Sequence, residues 1–517
     1  MYDTVIQNTT LIDGLGNPGQ DGVNIGIKSG KIAHISSESL QGKDVIDGSG
    51  KVTAPGFIDI TNHSDTHLTL FTQPRLTSMV RQGITTIIGG NCGSSLAPLV
   101  NYQSIKSLRK WVDVSQINMN WESMKDFLDV VNEYPVVPHF GTFVGYATIR
   151  RAIVPDNRPL TEQEYDTIFH CLEESLEQGA LGVSLGLAFS HMSTIENKEV
   201  RDIARCLKRH NKLLAVHIRS DGEYVRSSLQ ELLTVSQETG VALHINHLKI
   251  MGRKNWKYFD QVYQDIENHL QYEIPFSFDV FPYKANNTVL YLLLPHWVTK
   301  NGRENMLKQL ADSDMKTQVV ADMKANGYDY NRIIVSEAGR MTSAVGHNIA
   351  QIAYNHGVGV EEALVDLIYA SEGRARVMVE GISDDHLGKL IHHAASCIST
   401  DGIGYQCQVQ REFPHPRSYG TMSRFLTKYV DEKLSLEQAI AKITSFPARQ
   451  LGINRGRLQE GWPADIVIFD PDQLTDLANF RNSEQYPKGI NQVFIEGKKV
   501  YNEGTMHDVA SGSIIRL

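Results

Sequence analysis

Short apolar runs that end on a histidine, cysteine or aspartate recur through this chain, and they constrain its fold more than any other feature. The first is Phe57-Ile58-Asp59-Ile60-Thr61-Asn62-His63. Next come Ile84-Thr85-Thr86-Ile87-Ile88-Gly89, which leads to Cys92, then Leu213 to His217 and Ala242 to His247. Their length, β-branching and glycine boundaries read as buried strands. Segments of helical spacing lie between them. In Tyr165 to Gln178, Ile168, Leu172 and Leu176 share a face, and Gly179 ends the helix. Strand and helix alternating over most of a chain predict α/β architecture, here a (β/α)8 TIM-like barrel rather than an open sheet.

Both ends of the chain look different. Thr4-Val5-Ile6, Val23 to Ile27, Lys31 to Ile35 and Asp44 to Asp47 read as a meander, and Ala464 to Asp470 with Gln492 to Val500 read likewise. These segments predict a small β-sandwich built from both termini, residues 1–54 and 450–517. The barrel then occupies 55–449. Its pattern breaks over about 288–346, where charged helical turns such as Glu304 to Lys324 mark an insertion in a βα loop.

At 517 residues the chain has room for this arrangement. A net charge of -9 and no basic run argue against nucleic acid as a partner. No apolar stretch approaches the roughly 20 residues that cross a bilayer, and the N-terminus lacks the pattern of a secretory signal. The five cysteines (Cys92, Cys171, Cys206, Cys397, Cys407) show no framework spacing, which suits a reducing, cytoplasmic setting. The partner expected is a small-molecule substrate; the oligomeric state is left open.

In a parallel barrel the C-terminal strand ends share one mouth, so His63, Cys92, His217 and His247 converge there, joined by Asp401 in Ser399-Thr400-Asp401-Gly402. Thiolate, imidazole and carboxylate form a ligand set suited to zinc. Any one of the five alone reads equally well as a core histidine, a structural cysteine or a turn aspartate. Five of them at successive strand ends are harder to explain that way. A strand tip that delivers two imidazoles to a metal has the form Asp-x-His-x-His, because side chains two apart share a face. Here Thr61 stands at the first of the two histidine positions, and a neutral hydroxyl is a poor zinc ligand.

The chain resembles the N-acyl-D-amino-acid deacylase (D-aminoacylase) family of the amidohydrolase superfamily over nearly its whole length. The matching stretches are Pro55-Gly56-Phe57-Ile58-Asp59, Gly90-Asn91-Cys92-Gly93, Gly179 to Leu187, Val216-His217-Ile218-Arg219 and Asn246-His247-Leu248-Lys249. Phe281-Pro282-Tyr283, Ser399-Thr400-Asp401-Gly402 and His415-Pro416-Arg417 match as well. The resemblance implies a hydrolase that cleaves the amide bond of N-acyl-D-amino acids or related N-acyl compounds. It implies one tightly held Zn2+ on Cys92, His217 and His247. His63 and Asp401 remain for a second metal position, weakened or absent because of Thr61. Asp401 is implied as the general base and His63 as an oxyanion stabiliser. Lys249, Tyr283 and Arg417 are implied to bind the substrate carboxylate. Arg150 and Arg219 are less specific, and His67 reads as a loop histidine rather than a replacement ligand.

Two competing readings follow. A cyclic-amide hydrolase of the dihydroorotase or hydantoinase type shares the scaffold, but Cys92 stands where those enzymes usually place a lysine. An inactive amidohydrolase scaffold is suggested by Thr61 and opposed by the retention of Cys92, His217, His247 and Asp401.

Overall fold

The computed structural model describes residues 1–105, 108, 114–154, 158–189, 191–192, 195–325, 328–406 and 413–517; Cys407 lies outside them. The strands that carry the candidate residues are short, parallel and buried. Six of them form one sheet in the order Ser396–Ile398, Phe276–Val280, Leu243–Ile245, Leu213–His217, Gly182–Gly186, Val144–Gly145. Three more, Phe57–Asp59, Ile84–Gly89 and His139–Thr142, form a second parallel sheet. The sheets abut at two places. Phe143 alone separates the last strand of the second sheet from Val144–Gly145. Asn62 and Gly402 form a parallel bridge beyond the ends of Phe57–Asp59 and Ser396–Ile398. Among the described residues the ladder is not continuous across either junction, so the strands do not close into a barrel.

Helices cover these strands as the apolar spacing dictates. Glu162–Glu177 starts at Thr161, whose side chain and that of Glu164 cap each other's backbone N–H groups, and it ends before Gly179 at φ 112. Ile168, Leu172 and Leu176 are fully buried, joining the large core formed with Val183, Leu214 and Leu243. Helices Asn197–His210, Val225–Thr239 and Phe259–Leu270 follow successive strands in the same way.

Both termini enter a single nine-stranded sheet in which Val52–Pro55 lies between Tyr2–Leu11 and Ile466–Phe469. A two-layer sandwich was expected; the hydrogen bonding instead forms one sheet. One apolar cluster nevertheless joins Ile25, Ile27 and Ile32 to Ile466, Ile468 and Phe494, so residues from both termini share a core. The run Gln492 to Val500 is a hairpin, Ile490–Ile495 with Lys498–Asn502. Its turn residues Glu496 and Gly497 both have positive φ, at 46° and 72°, as a tight hairpin turn requires.

A further unit spans residues 285–380. Strand Arg376–Glu380 sits between Ala285–Val289 and Ile333–Glu337 in an antiparallel sheet. Helices including Ser313–Lys324 and Val360–Ala370 pack on it around Val298, Val319, Val335, Leu364 and Val377. Among the described residues no helix is long and apolar enough to cross a membrane.

Candidate metal centre and active site

Three buried aspartates build the mouth where the strands end. Asp59 accepts hydrogen bonds from the Thr400 N–H (2.7 Å), the Thr400 hydroxyl (2.5 Å) and the Asn62 amide (2.8 Å). Those bonds, with the His63 N–H donating to Gly402 O at 2.9 Å, draw the loop carrying Asp401 against His63. Asp279 accepts from the His247 backbone N–H (3.0 Å), His244 Nε2 (2.9 Å), Thr61 Oγ1 (2.8 Å) and Ser399 Oγ (2.5 Å). Asp65 accepts from the Gly90 N–H at 2.7 Å and so fixes the turn that leads to Cys92. Burial pushes Asp59 up to about 7 and Asp65 up to about 6, although their hydrogen bonds oppose the shift. For Asp279 burial acts the same way, but His244 outweighs it and its carboxyl lies below the usual range.

The loops held this way place their chemical residues in an uncommon backbone region. Cys92 (φ 54), His247 (φ 39) and Asp401 (φ 43) are all left-handed without being glycine. Such conformations cost of order 1–3 kcal/mol each and persist where surrounding bonds fix them, most often at functional sites. The strand Leu243–Ile245 therefore stops two residues before His247, which turns back into the mouth.

Cys92, His217 and His247 present one ligand atom each, all within 4.8 Å of one another. Cys92 Sγ and His247 Nε2 are 3.4 Å apart, and the two imidazoles meet nearly at right angles with centroids 4.4 Å apart. Tetrahedral ligands of zinc, at about 2.0–2.3 Å from the ion, lie about 3.3–3.8 Å from each other. Burial acts against the Cys92 thiolate. The charge on His247 and hydrogen bonds from His217, His247 and His63 outweigh it, holding the thiol well below its usual range. His217 Nδ1 is buried with no hydrogen-bond partner among the described residues, an orphan that a metal would satisfy. The donor set therefore fits zinc. Asp221 supports it from outside, 3.6 Å from His217 Nε2 and 2.9 Å from Lys249 Nζ.

The remaining positions are occupied differently. His63 Nε2 lies 2.9 Å from Asp401 Oδ1, and Arg417 Nη1 donates to Asp401 Oδ2. Burial opposes charge on both partners. The Arg417 and His247 charges hold Asp401 well below the carboxylate range, while the Asp401 and Cys92 contacts push His63 up to about 10. Thr61 is fully buried; its hydroxyl donates to Asp279 and accepts from the Asn246 amide at 2.9 Å. That hydroxyl belongs to a hydrogen-bond network.

A cavity with an empty volume of about 750 Å³, its opening to solvent included, lies over this arrangement. Cys92, His217, His247, His63, Asp401 and Arg417 line it, as expected from the sequence. Lys249 and Tyr283 do not. Lys249 is 3% exposed, bridging Asp221 and His247 Nδ1 (3.0 Å). Tyr283 is 2% exposed and donates to Pro416 O at 3.3 Å. Buried partners from distant loops engage both residues, which the sequence singled out for a substrate carboxylate.

Sequence reading also missed a wall of the cavity formed by Asn286, Asn287, Thr288 and Arg376 from the 285–380 unit. An arginine opening the otherwise apolar strand Arg376-Val377-Met378-Val379 was the available signal. His67 lines the cavity too. Its Nδ1 donates to His63 O (3.0 Å) and its Nε2 accepts from Arg376 (2.8 Å), which uses both nitrogens. A second grouping, Glu173, Cys206 and His210, lies on the outer helices. There burial and Glu173 push the Cys206 thiol up to about 12, and Arg209 holds Glu173 at 2.5 Å.

Comparison with known proteins agrees with this geometry. The amidohydrolase family profile matches residues 278–500. A D-aminoacylase from Alcaligenes xylosoxydans xylosoxydans is 28% identical over 519 residues, covering 99% of this chain and 97% of that protein. An N-acyl-D-glutamate deacylase from the same organism is 28% identical over 505 residues, covering 96% and 93%. The crystal structure of N-acyl-D-glutamate deacylase from Bordetella bronchiseptica, complexed with zinc and a phosphonate inhibitor, matches at a TM-score of 0.85. It is 26% identical, and all of both chains is covered. The chain is thus similar to the amidohydrolase family over residues 278–500 and to D-amino-acid deacylases over nearly its whole length. The full-length likenesses are to a D-aminoacylase and to N-acyl-D-amino-acid deacylases.

Proposed function

We propose that this protein is a zinc-dependent hydrolase of N-acyl-D-amino acids that works with a single tightly held metal. The observation that carries the reading is the buried convergence of Cys92, His217 and His247 on the floor of the cavity, with the donor atoms within 4.8 Å. We read the two parallel sheets as parts of one (β/α)8 barrel over residues 55–449. The terminal segments 1–54 and 450–517 make the accompanying β domain, and the 285–380 unit is the inserted one.

Bound at these three side chains, zinc supplies a Lewis acid and a water of lowered pKa. The chain's own groups do the rest. Asp401 takes the proton of the water that attacks the acyl carbonyl, then returns it to the leaving nitrogen. His63 Nε2, on the rim beside Asp401, donates to the oxygen that becomes negative. Arg417 presents its guanidinium to the substrate carboxylate. Because Arg417 also holds Asp401, a carboxylate that draws the guanidinium toward itself leaves Asp401 more basic as the substrate seats. The retained groups speak against an inactive scaffold: Thr61 removes one ligand from the second position and leaves the first intact.

The test is amine release from matched N-acyl-D- and N-acyl-L-amino acids by zinc-loaded protein. Turnover of the D-series that is lost in Asp401→Asn supports the reading. Absence of turnover, or equal traces in both proteins, refutes it.

A further inference from the structure

The outer face of the molecule carries a second set of metal-ligating side chains, which the proposed reaction does not use. Cys206 and His210 stand four residues apart on the helix Asn197–His210, so they share one of its faces. Glu173 reaches the same place from the neighbouring helix Glu162–Glu177. One ligand atom from each of the three lies within 4.8 Å of the other two, the same limit that holds for Cys92, His217 and His247. The helices are fixed by their apolar faces: Leu172 and Leu176 on one, Ile203 and Leu207 on the other, all buried in the same core. Cys206 is itself fully buried, while Glu173 and His210 are half-buried. The place is remote from the mouth. His210 precedes the strand Leu213–His217, and His217 stands at the other end of that strand.

Part of this set has no other task. Neither ring nitrogen of His210 has a hydrogen-bond partner among the described residues, and Glu173 engages its partners through Oε1 alone. That oxygen accepts from the Cys206 thiol at 3.7 Å and from Arg209 Nη2 at 2.5 Å. A thiol beside a carboxylate is kept protonated by the neighbouring negative charge. A divalent cation between the two reverses the relation, because a coordinating thiol is deprotonated outright. The Cys206 proton then passes to solvent as the metal–sulfur bond forms. Arg209 does not close the place off: its side chain is 61% exposed, and a surface ion pair of this kind contributes little. Its charge does repel a cation, which makes this set a weaker binder than the one in the mouth.

We infer that Glu173, Cys206 and His210 bind a second divalent metal of the zinc class, with water in the fourth position, and that the ion joins the two outer helices below the strand that carries His217. Thiolate, imidazole and carboxylate together favour zinc, or cobalt in its place, over magnesium and calcium, which take oxygen ligands. No atom of the mouth takes part, so the inference does not rest on the deacylase reading. Dialysis empties this site while the one at Cys92 stays filled.

The experiment titrates the zinc-loaded protein with Co2+ and follows the thiolate-to-cobalt charge-transfer band, with bound cobalt measured on the same samples. Zinc is preferred to cobalt at ligands of this kind, so Cys92 keeps its zinc and the band reports another thiolate. The wild type develops the band as it takes up cobalt. Cys206→Ser, which puts a hydroxyl in place of the thiolate, loses both the band and that cobalt. His210→Gln changes only a half-buried side chain, loses them too, and decides the matter if the buried substitution does not fold. Both variants keep the zinc held at Cys92, which shows that the mouth is intact. No band in the wild type overturns the inference. So does a band that persists in either variant, since it would belong to Cys92.

Discussion

The two halves of the metal-facing surface lie side by side at the same strand ends, yet they are built on different terms. On one side Cys92, His217 and His247 bring one ligand atom each to within 4.8 Å of one another, and His217 Nδ1 has no hydrogen-bond partner among the described residues. On the other, His63 and Asp401 satisfy each other, Arg417 occupies the second oxygen of Asp401, and Thr61 is bonded to Asp279 and Asn246. A clustered thiol and two imidazoles make the first the candidate metal site. The ion pairs of the second make it a charge network, to which the proposed reaction assigns the proton transfer. The same buried aspartate, Asp279, supports both, through the His247 backbone on one side and the Thr61 hydroxyl on the other.

Substitutions can break this comparison at several points. The largest effect is expected on zinc content: Cys92→Ala emerges from dialysis essentially free of zinc by elemental analysis, whereas His63→Ala keeps it. Equal loss in both would mean that the two halves form one shared site. On catalysis, Asp401→Asn lowers kcat by roughly 10²–10⁴-fold with zinc retained, as removal of a general base does; near-native turnover would take that role from Asp401. Asp221→Asn leaves all three ligands in place but loosens His217 and Lys249, and weakens zinc affinity about 10- to 100-fold in a competition titration. An unchanged affinity would make Asp221 a bystander. Thr61→Val has the smallest influence on the metal. It strips partners from Asp279 and Asn246 and costs about 1–3 kcal/mol in chemical denaturation, with zinc content untouched.

The sequence was legible where one residue type at a strand end is enough to argue from. Cys92, His217, His247, His63 and Asp401 sit where the alternation of apolar runs placed them, because parallel strands bring their C-terminal ends together whatever the loops do. It was illegible where a partner far along the chain decides. The sequence could not announce that Lys249 pairs with Asp221, or that the Tyr283 hydroxyl donates to Pro416 O. Arg376 became visible only when the bulge opposite it set Glu337 in place and the sheet of the 285–380 unit faced the mouth. Likewise, the run Gln492 to Val500 hid a turn, since Glu496 takes a positive φ that no local apolar pattern announces.

Counting the metal tests the central claim most directly. Native mass spectrometry of protein titrated with zinc, read beside amine release on the same samples, should show one retained ion per chain and activity that reaches its maximum at that first equivalent. Two ions held with comparable strength, or activity that appears only with the second, would mean that His63, Asp401 and Thr61 form a metal site after all, and would contradict the account.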